Sequence, residues 1–269
     1  MLFRSEWIDE AAKQRGVTAL VHVKIDTGMG RIGVHWQRVA PLIQAAQQTK
    51  NIEYEGIFTH LANAGEDNKM TQEQYRRFCA ACDQFEQDGF DFDIKHIANS
   101  SAAILYPEMR LDMVRVGIAL YGVGTLPQSP RFSGTCPVLS WKTKVVYFKV
   151  VSPGETVGYG ATWAPKGSAE RVVTLPVGYA DGYGRRFENK TSVLIHGKEY
   201  PVVGRVCMDQ CMVFLGPNGE AFNGDEVILI GEQMGHRISA EELAEKTRIE
   251  SIFRSEEHTS ELQSPCNLV

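Results

Sequence analysis

Apolar and polar residues alternate between Leu20 and Thr27, with Val21, Val23 and Ile25 on one face and His22, Lys24 and Asp26 on the other. That period of two predicts a strand. Val39, Leu42, Ile43 and Ala46 then follow at helical spacing. A second strand is predicted at 56–61. A helix over roughly 71–88 comes next, opened by a Thr71-x-x-Gln74 capping pattern and closed by Gly89. Short strands near 94–98 and 114–121 complete the first half. Strands alternating with helices predict a parallel sheet with crossover helices. The four strands are half of what a closed α/β barrel requires.

Between Gly122 and Pro137 the chain turns to Gly, Pro and Ser without a period. Beyond it, strand-like runs dominate: 138–151, 171–177, 192–196, 200–207, 211–215 and 226–231. Pro153-Gly154, Asn218-Gly219 and Asn223-Gly224 separate some of them, and Asn-Gly between apolar runs is a hairpin signal. A mostly antiparallel β domain is expected, with a short closing helix where Ser239 and Glu242 make a capping box. The expected division is a partial barrel over 1–130 and a β domain over 131–253.

The 269 residues, 43% hydrophobic, suffice for one large or two ordinary cores. A formal net charge of −5 gives no electrostatic footprint for nucleic acid, and no polybasic run suggests a membrane surface. The apolar runs are too short for a transmembrane helix and no signal-peptide pattern opens the chain, so a cytoplasmic protein is expected. Six irregularly spaced cysteines argue against a disulfide framework. Cys79-x-x-Cys82 has metal-site spacing but lacks a second pair. It lies in the stripe Tyr75, Phe78, Cys79, Cys82, Phe85, which predicts a core-facing helix and no metal.

The first strand carries the most chemistry. Apolar residues on one face and charged ones on the other, then three glycines around Arg31, suit a barrel strand near its chemical end. A buried Lys24 is costly unless paired or modified. The same pattern also fits a half-exposed strand with solvated charges. Likewise, Arg115 alone fits a surface ion pair, Tyr159 between Gly158 and Gly160 fits a loop tyrosine, and Asn99-Ser100-Ser101 fits a helix N-cap.

Taken together these segments resemble the alanine racemase family. The blocks are Lys24-x-Asp26-Thr-Gly-Met-Gly-Arg31-x-Gly33, Phe58-Thr-His60, His96-x-x-Asn99-Ser100, Arg115-x-Gly117-Ile118-x-x-Tyr121-Gly122, Gly158-Tyr159-Gly160-Ala-Thr, Gly178-Tyr179-Ala-Asp-Gly182 and Gly204-Arg205-Val-Cys207-Met208-Asp209-Gln210. They stand in the family's order over roughly residues 15–250. The resemblance implies the C-terminal half of a TIM-type barrel followed by a mostly antiparallel β domain. It implies pyridoxal 5′-phosphate as cofactor and interconversion of L- and D-alanine by two bases, with D-alanine feeding peptidoglycan synthesis.

Residue by residue, the resemblance makes Tyr159 one base. Arg115 faces the pyridine nitrogen, with His60 against the ring. Arg31 donates to the phenolic oxygen and lies near the substrate, and Lys24 is a candidate for carbamylation. Ser100 and the amides of Gly117 and Ile118 contact the phosphate. Met208 and Asp209 line the substrate carboxylate pocket, and Tyr179 and Arg185 lie near its mouth. Tyr159 and the Met208–Asp209 pair would come from a partner subunit, so the resemblance implies a homodimer with shared sites and a small amino-acid substrate. A tyrosine-lined pocket makes alanine over serine a preference worth only about 1–3 kcal/mol per methylene.

Family members begin with four further strands, the first bearing a lysine that holds the cofactor covalently, and no matching block precedes residue 20. The stretch Arg254-Ser-Glu-Glu-His-Thr-Ser-Glu-Leu-Gln-Ser264 resembles an in-frame translation of a sequencing-library adapter, so 254–269 is expected to be a non-native tail. On these expectations the chain is a fragment, inactive alone. The rivals are a serine or broad-specificity racemase sharing nearly every block, and a non-catalytic pyridoxal phosphate-binding barrel, against which the β domain argues. A pyridoxal decarboxylase would lack the Lys24–Gly33 block.

Overall fold

The structure, a computed structural model, describes residues 4–123 and 135–247. The expected boundary at 130/131 and the expected tail at 254–269 lie outside them. Two compact units divide the chain: one runs up to Leu120, the other takes Tyr121–Val123 and the residues from Thr135 onward.

In the first unit the elements run α1 (Ser5–Arg15), β1 (Ala19–Asp26), β2 (Val34–His35), α2 (Ala40–Gln47), β3 (Ile52–Phe58), α3 (Asn68–Gln87), β4 (Ile94–His96) and α4 (Ser100–Leu105). The sheet order is β2-β1-β3-β4 and every pairing is parallel. Its apolar face works as the alternation predicts. Val23, Ile25, Ile57 and Ile97 pack on Val39, Leu42 and Ile43 around α2 and on Phe78, Ala81, Cys82 and Phe85 of α3. A parallel sheet with crossover helices on one face is the construction of an α/β barrel wall.

Four expectations change. The strand predicted at 56–61 runs Ile52–Phe58 instead. Helix α1 is not among the predicted elements, because its apolar stripe is weak: its buried residues are Ser5 and Ala12. The third helix starts earlier than Thr71, because Asp67 caps it by accepting from the Met70 amide at 3.0 Å. Thr71 instead donates back to the Asp67 carbonyl. The segment 114–121 is not a strand. It runs beside β4, tied by Asp112 N to Lys95 O and Arg115 N to Ala98 O. The Asp112 carboxylate replaces a ladder carbonyl by accepting from the Lys95 amide, and the chain then tightens into a 3-10 turn at Ile118–Tyr121.

The second unit holds β5 (Trp141–Lys144), β6 (Tyr147–Val151), β7 (Glu170–Leu175), β8 (Ser192–Ile195), β9 (Lys198–Val203), β10 (Cys211–Gly216), β11 (Glu226–Gln233), β12 (His236–Ile238) and α5 (Ala240–Thr247). The order is β12-β11-β8-β9-β10-β7-β6, with β5 on β11, all antiparallel. The expected single strand 138–151 therefore bends at Val145-Val146. Its first part pairs with β11 and its second with β7, so one bent segment closes the sheet on itself and covers its edges. Val145, Val173, Leu175, Val193, Ile195, Val213 and Val227 fill the interior.

The Asn-Gly signals do not mark hairpins, since β10 already lies between β7 and β9 and cannot pair with β11. Tight two-residue turns form instead at His196-Gly197 and Met234-Gly235, both residues of each at positive φ, as a type I′ turn requires. Ser239 caps α5 by accepting from the Glu242 amide at 3.1 Å, as expected.

Candidate active site

The chemistry of the first unit gathers at the C-terminal ends of β1, β3 and β4, where barrels carry their sites. On β1, the Lys24 ammonium lies 4.5 Å from the centre of the Phe58 ring. Burial, then the positive charges of Arg115 and Arg31, push Lys24 down to about 7; Asp26 opposes this least. Asp26 is committed to shaping the following loop, with one carboxylate oxygen accepting from the amides of Gly28 and Gly30, both at 3.0 Å. Burial would raise its carboxyl, but the amides of Gly30, Gly28 and Met29 outweigh that and hold it below the usual range. Arg31 follows on that loop with its side chain at the surface.

Arg115 is held from several sides. One Nη lies 2.6 Å from His96 Nδ1; the other donates to the Thr59 carbonyl at 2.7 Å and lies 3.4 Å from His60 Nδ1. His96 stacks on Phe58, ring centres 4.7 Å apart and planes within 3°. Burial first, then Arg115, His22 and Lys24, push His96 down to about 3, so it faces Arg115 as a neutral acceptor. Nearby, the buried Ser100 hydroxyl oxygen accepts from Gly117 N at 3.0 Å and Ala119 N at 3.4 Å, and Ile118 is buried in the turn they open. Asn99 does cap α4, its side chain accepting from the Ala102 amide. Lys24, His60, Ser100, Arg115, Gly117 and Ile118 are thus brought together.

Gln74, read from sequence as half of a capping pattern, is a buried clasp. Its amide nitrogen donates to Thr27 Oγ1 at 3.2 Å and to the His60 carbonyl at 3.1 Å, while its oxygen accepts from Ala62 N at 2.9 Å. Thr27 and Thr59 hydroxyls meet at 2.8 Å beside it. The clasp joins the loops after β1 and β3, and with them Arg31 and His60. Gln74→Leu leaves those groups unpaired, and we expect the first unit to lose about 3 kcal/mol in urea melts.

In the second unit Tyr159, Tyr179, Arg185, Arg205 and Met208 line one cleft of ≈ 1140 Å³. Gly158 and Gly160, with φ of 76° and 73°, let the backbone lift Tyr159 out of a turn where it is 70% exposed. Gly178 lies backbone to backbone on the Met208 loop: an added Cβ would sit 2.3 Å from the Cys207 and Met208 carbonyl oxygens. Tyr179 N and Ala180 N bond those same carbonyls, so Tyr179 is fixed against Met208. Arg185 stacks over the Tyr179 ring at 4.4 Å. Asp209 follows Met208 in the exposed turn closed by Cys207 N to Gln210 O.

Among the described residues, no cluster of three or more His, Cys, Asp or Glu is placed to hold a metal, and no helix is long and apolar enough to cross a membrane. Cys82 is buried in the α3 core, where burial pushes its thiol up to about 12; Cys79 is exposed.

A parallel α/β barrel wall followed by a closed antiparallel β domain, with basic, hydroxyl and tyrosine groups at the sites described, is an architecture shared with solved enzymes. The pattern described as "Alanine racemase, N-terminal domain" matches residues 2–125, and that of the C-terminal domain matches 138–253. The chain belongs to the alanine racemase family. The alanine racemase of Cutibacterium acnes is 41% identical over 242 residues, 89% of this chain. This chain spans 64% of that relative's length. The crystal structure of alanine racemase from Bacillus anthracis with bound L-Ala-P is similar at TM-score 0.79 and 35% identity, covering 92% of this chain and 65% of that one. The enzyme from D-cycloserine-producing Streptomyces lavendulae reaches TM-score 0.83 at 32% identity, covering 90% and 65%.

Proposed function

We propose that this chain carries the larger part of a pyridoxal 5′-phosphate-dependent alanine racemase. The carrying observation is Arg115, fixed by His96 and Thr59 beside His60, Lys24 and Ser100 at one end of the parallel strands. The residues fit the cofactor. Ser100 Oγ accepts from the amides of Gly117 and Ala119, which leaves its hydroxyl proton to donate to a phosphate, and Arg115 offers a permanent donor suited to a pyridine nitrogen. Ser100, Gly117 and Ile118 would hold the phosphate, Arg115 the ring nitrogen, and Arg31 the phenolic oxygen.

When bound, the cofactor supplies an electron sink that makes the substrate's α-C–H acidic. The chain's own residues do the rest. Arg115 cannot give up its proton at accessible pH, so a pyridine nitrogen held against it would remain unprotonated and would serve as a more moderate sink, with fewer side reactions. Tyr159 takes or returns the α-proton at its phenolic oxygen on one face. Met208 and Asp209 bind the substrate carboxylate, with Tyr179 and Arg185 at the mouth. The exposure of Tyr159 and Met208 in a single chain supports their use by a second copy, and hence a homodimer with shared sites.

The relatives reported above are alanine racemases, and no observation favours the serine or broad-specificity alternative or a non-catalytic binding barrel. The test is racemisation by the full-length protein with added cofactor. We expect L-alanine to be converted faster than L-serine; turnover of neither, or a preference for serine, overturns the reading.

A further inference from the structure

Behind Arg115, His96 continues a line into two side chains, His22 and Glu55, that the site above leaves without a part. His96 Nε2 lies 2.8 Å from His22 Nδ1, and His22 Nε2 lies 3.0 Å from Glu55 Oε2. Added to the 2.6 Å contact between Arg115 and His96 Nδ1, this is an unbroken run from the guanidinium to a carboxylate on β3 beyond it.

The two ends dictate the direction of every bond. An arginine only donates and an ionised carboxylate only accepts. Arg115 therefore donates to His96 Nδ1, which puts the His96 proton on Nε2. That proton is donated to His22 Nδ1, which puts the His22 proton on Nε2, facing Glu55. Both rings are locked in the same neutral tautomer. Reversing either one would set two donors face to face.

The fold is built around this line. His22 pairs in register with Gly56, and a register shift falls between Val21 and His22, the kind of irregularity that re-aims a side chain. An added Cβ at Gly56 would lie 2.4 Å from His22 Nδ1, the atom that accepts from His96. A glycine inside a strand weakens it and marks a close approach. Here the approaching group is the His22 ring, and Phe58 stacks on the His96 ring.

We propose that Glu55 and His22 are positioning residues which, acting through His96, fix the plane of the Arg115 guanidinium. The role toward the cofactor rests on the reading of Arg115 given above; the hydrogen-bond line does not.

The test is ¹⁵N NMR of the 269-residue chain labelled in histidine and arginine, near neutral pH and without cofactor. The expected spectrum shows His22 and His96 neutral with the proton on Nε2, and separate signals for the two Arg115 Nη atoms, whose rotation is blocked. Glu55→Leu removes the terminal acceptor and leaves the His22 Nε2–H without its partner; Arg115 still requires the same two tautomers, so we expect the His22 Nε2 signal to move and the Arg115 Nη pair to collapse into one signal. Glu55→Gln, which keeps an accepting oxygen, should restore the wild-type pattern. A proton on His96 Nδ1 in the wild type overturns the proposal even if the Leu variant fails to fold, and so does an unchanged spectrum in a folded Leu variant. These signals need no cofactor, so they decide the line separately from the racemase assay.

Discussion

On the proposed racemase reading, we expect Tyr159→Phe in the full-length protein to lower kcat for alanine racemisation by about 10²–10⁴-fold in both directions, the range carried by one positioned acid–base group. The ring keeps its volume and loses one hydroxyl. Because Tyr159 is 70% exposed and its placement comes from Gly158 and Gly160, the substitution should leave folding intact, and KM should change little. A two-base mechanism adds a sharper signature. With one base removed, the other still exchanges the α-proton of a single enantiomer with solvent. We therefore expect washout of the α-protium of one alanine enantiomer into D2O to outlast racemisation. Optical rotation follows racemisation, and proton NMR in D2O follows washout. Undiminished racemisation of both enantiomers by the Phe variant would remove Tyr159 from the mechanism.

What the sequence disclosed follows from how local each determinant is. The β1 alternation was legible because a period of two is written in eight adjacent residues, and its apolar face does pack on α2 and α3. The stripe through Phe78, Cys82 and Phe85 was legible for the same reason. The segment 114–121 was not, because its conformation depends on the Asp112 carboxylate replacing a ladder carbonyl at Lys95. The Asn-Gly pairs misled because pairing partners are set by the whole sheet: β10 has both edges occupied before β11 begins. The candidate site divides in the same way. Lys24, Arg31 and Tyr159 stand in recognisable blocks. His22, Glu55 and Gln74 act only through cross-strand register and side-chain hydrogen bonds, which no single segment encodes, and the block that holds His96 does not disclose its bond to Arg115. Gly56 was the one available signal, a glycine interrupting the apolar run of β3.

Lys24 governs the second large effect, and its sign follows from the direction of its shift. Burial and the charges of Arg115 and Arg31 push the folded-state value down to about 7 from 10.5. Below pH 7 the native state must hold a half-buried cation beside two arginines, at a cost of a few kcal/mol relative to the unfolded chain, at about 1.36 kcal/mol per unit. Between about pH 7 and 10.5 the unfolded chain binds more protons than the folded one, so stability rises with pH; above that window the cost is gone. Lys24→Met should remove this slope: we expect the variant to be more stable than wild type near pH 6 and the difference to vanish near pH 10 in urea melts.

The same depression makes the amine reactive toward carbon dioxide, since only the neutral form attacks. Half of Lys24 is neutral near pH 7, whereas an ordinary lysine is neutral only about one part in three thousand. A carbamate there would replace a cation between two arginines with an anion, turning repulsion toward Arg31 and Arg115 into attraction. With ¹³C-bicarbonate near neutral pH, we therefore expect a protein-bound carbamate resonance and a raised Tm in the wild type, and neither in Lys24→Met. A pH-independent stability difference would show that Lys24 is not a half-buried cation, and a bicarbonate-insensitive wild type would show that it is not carbamylated.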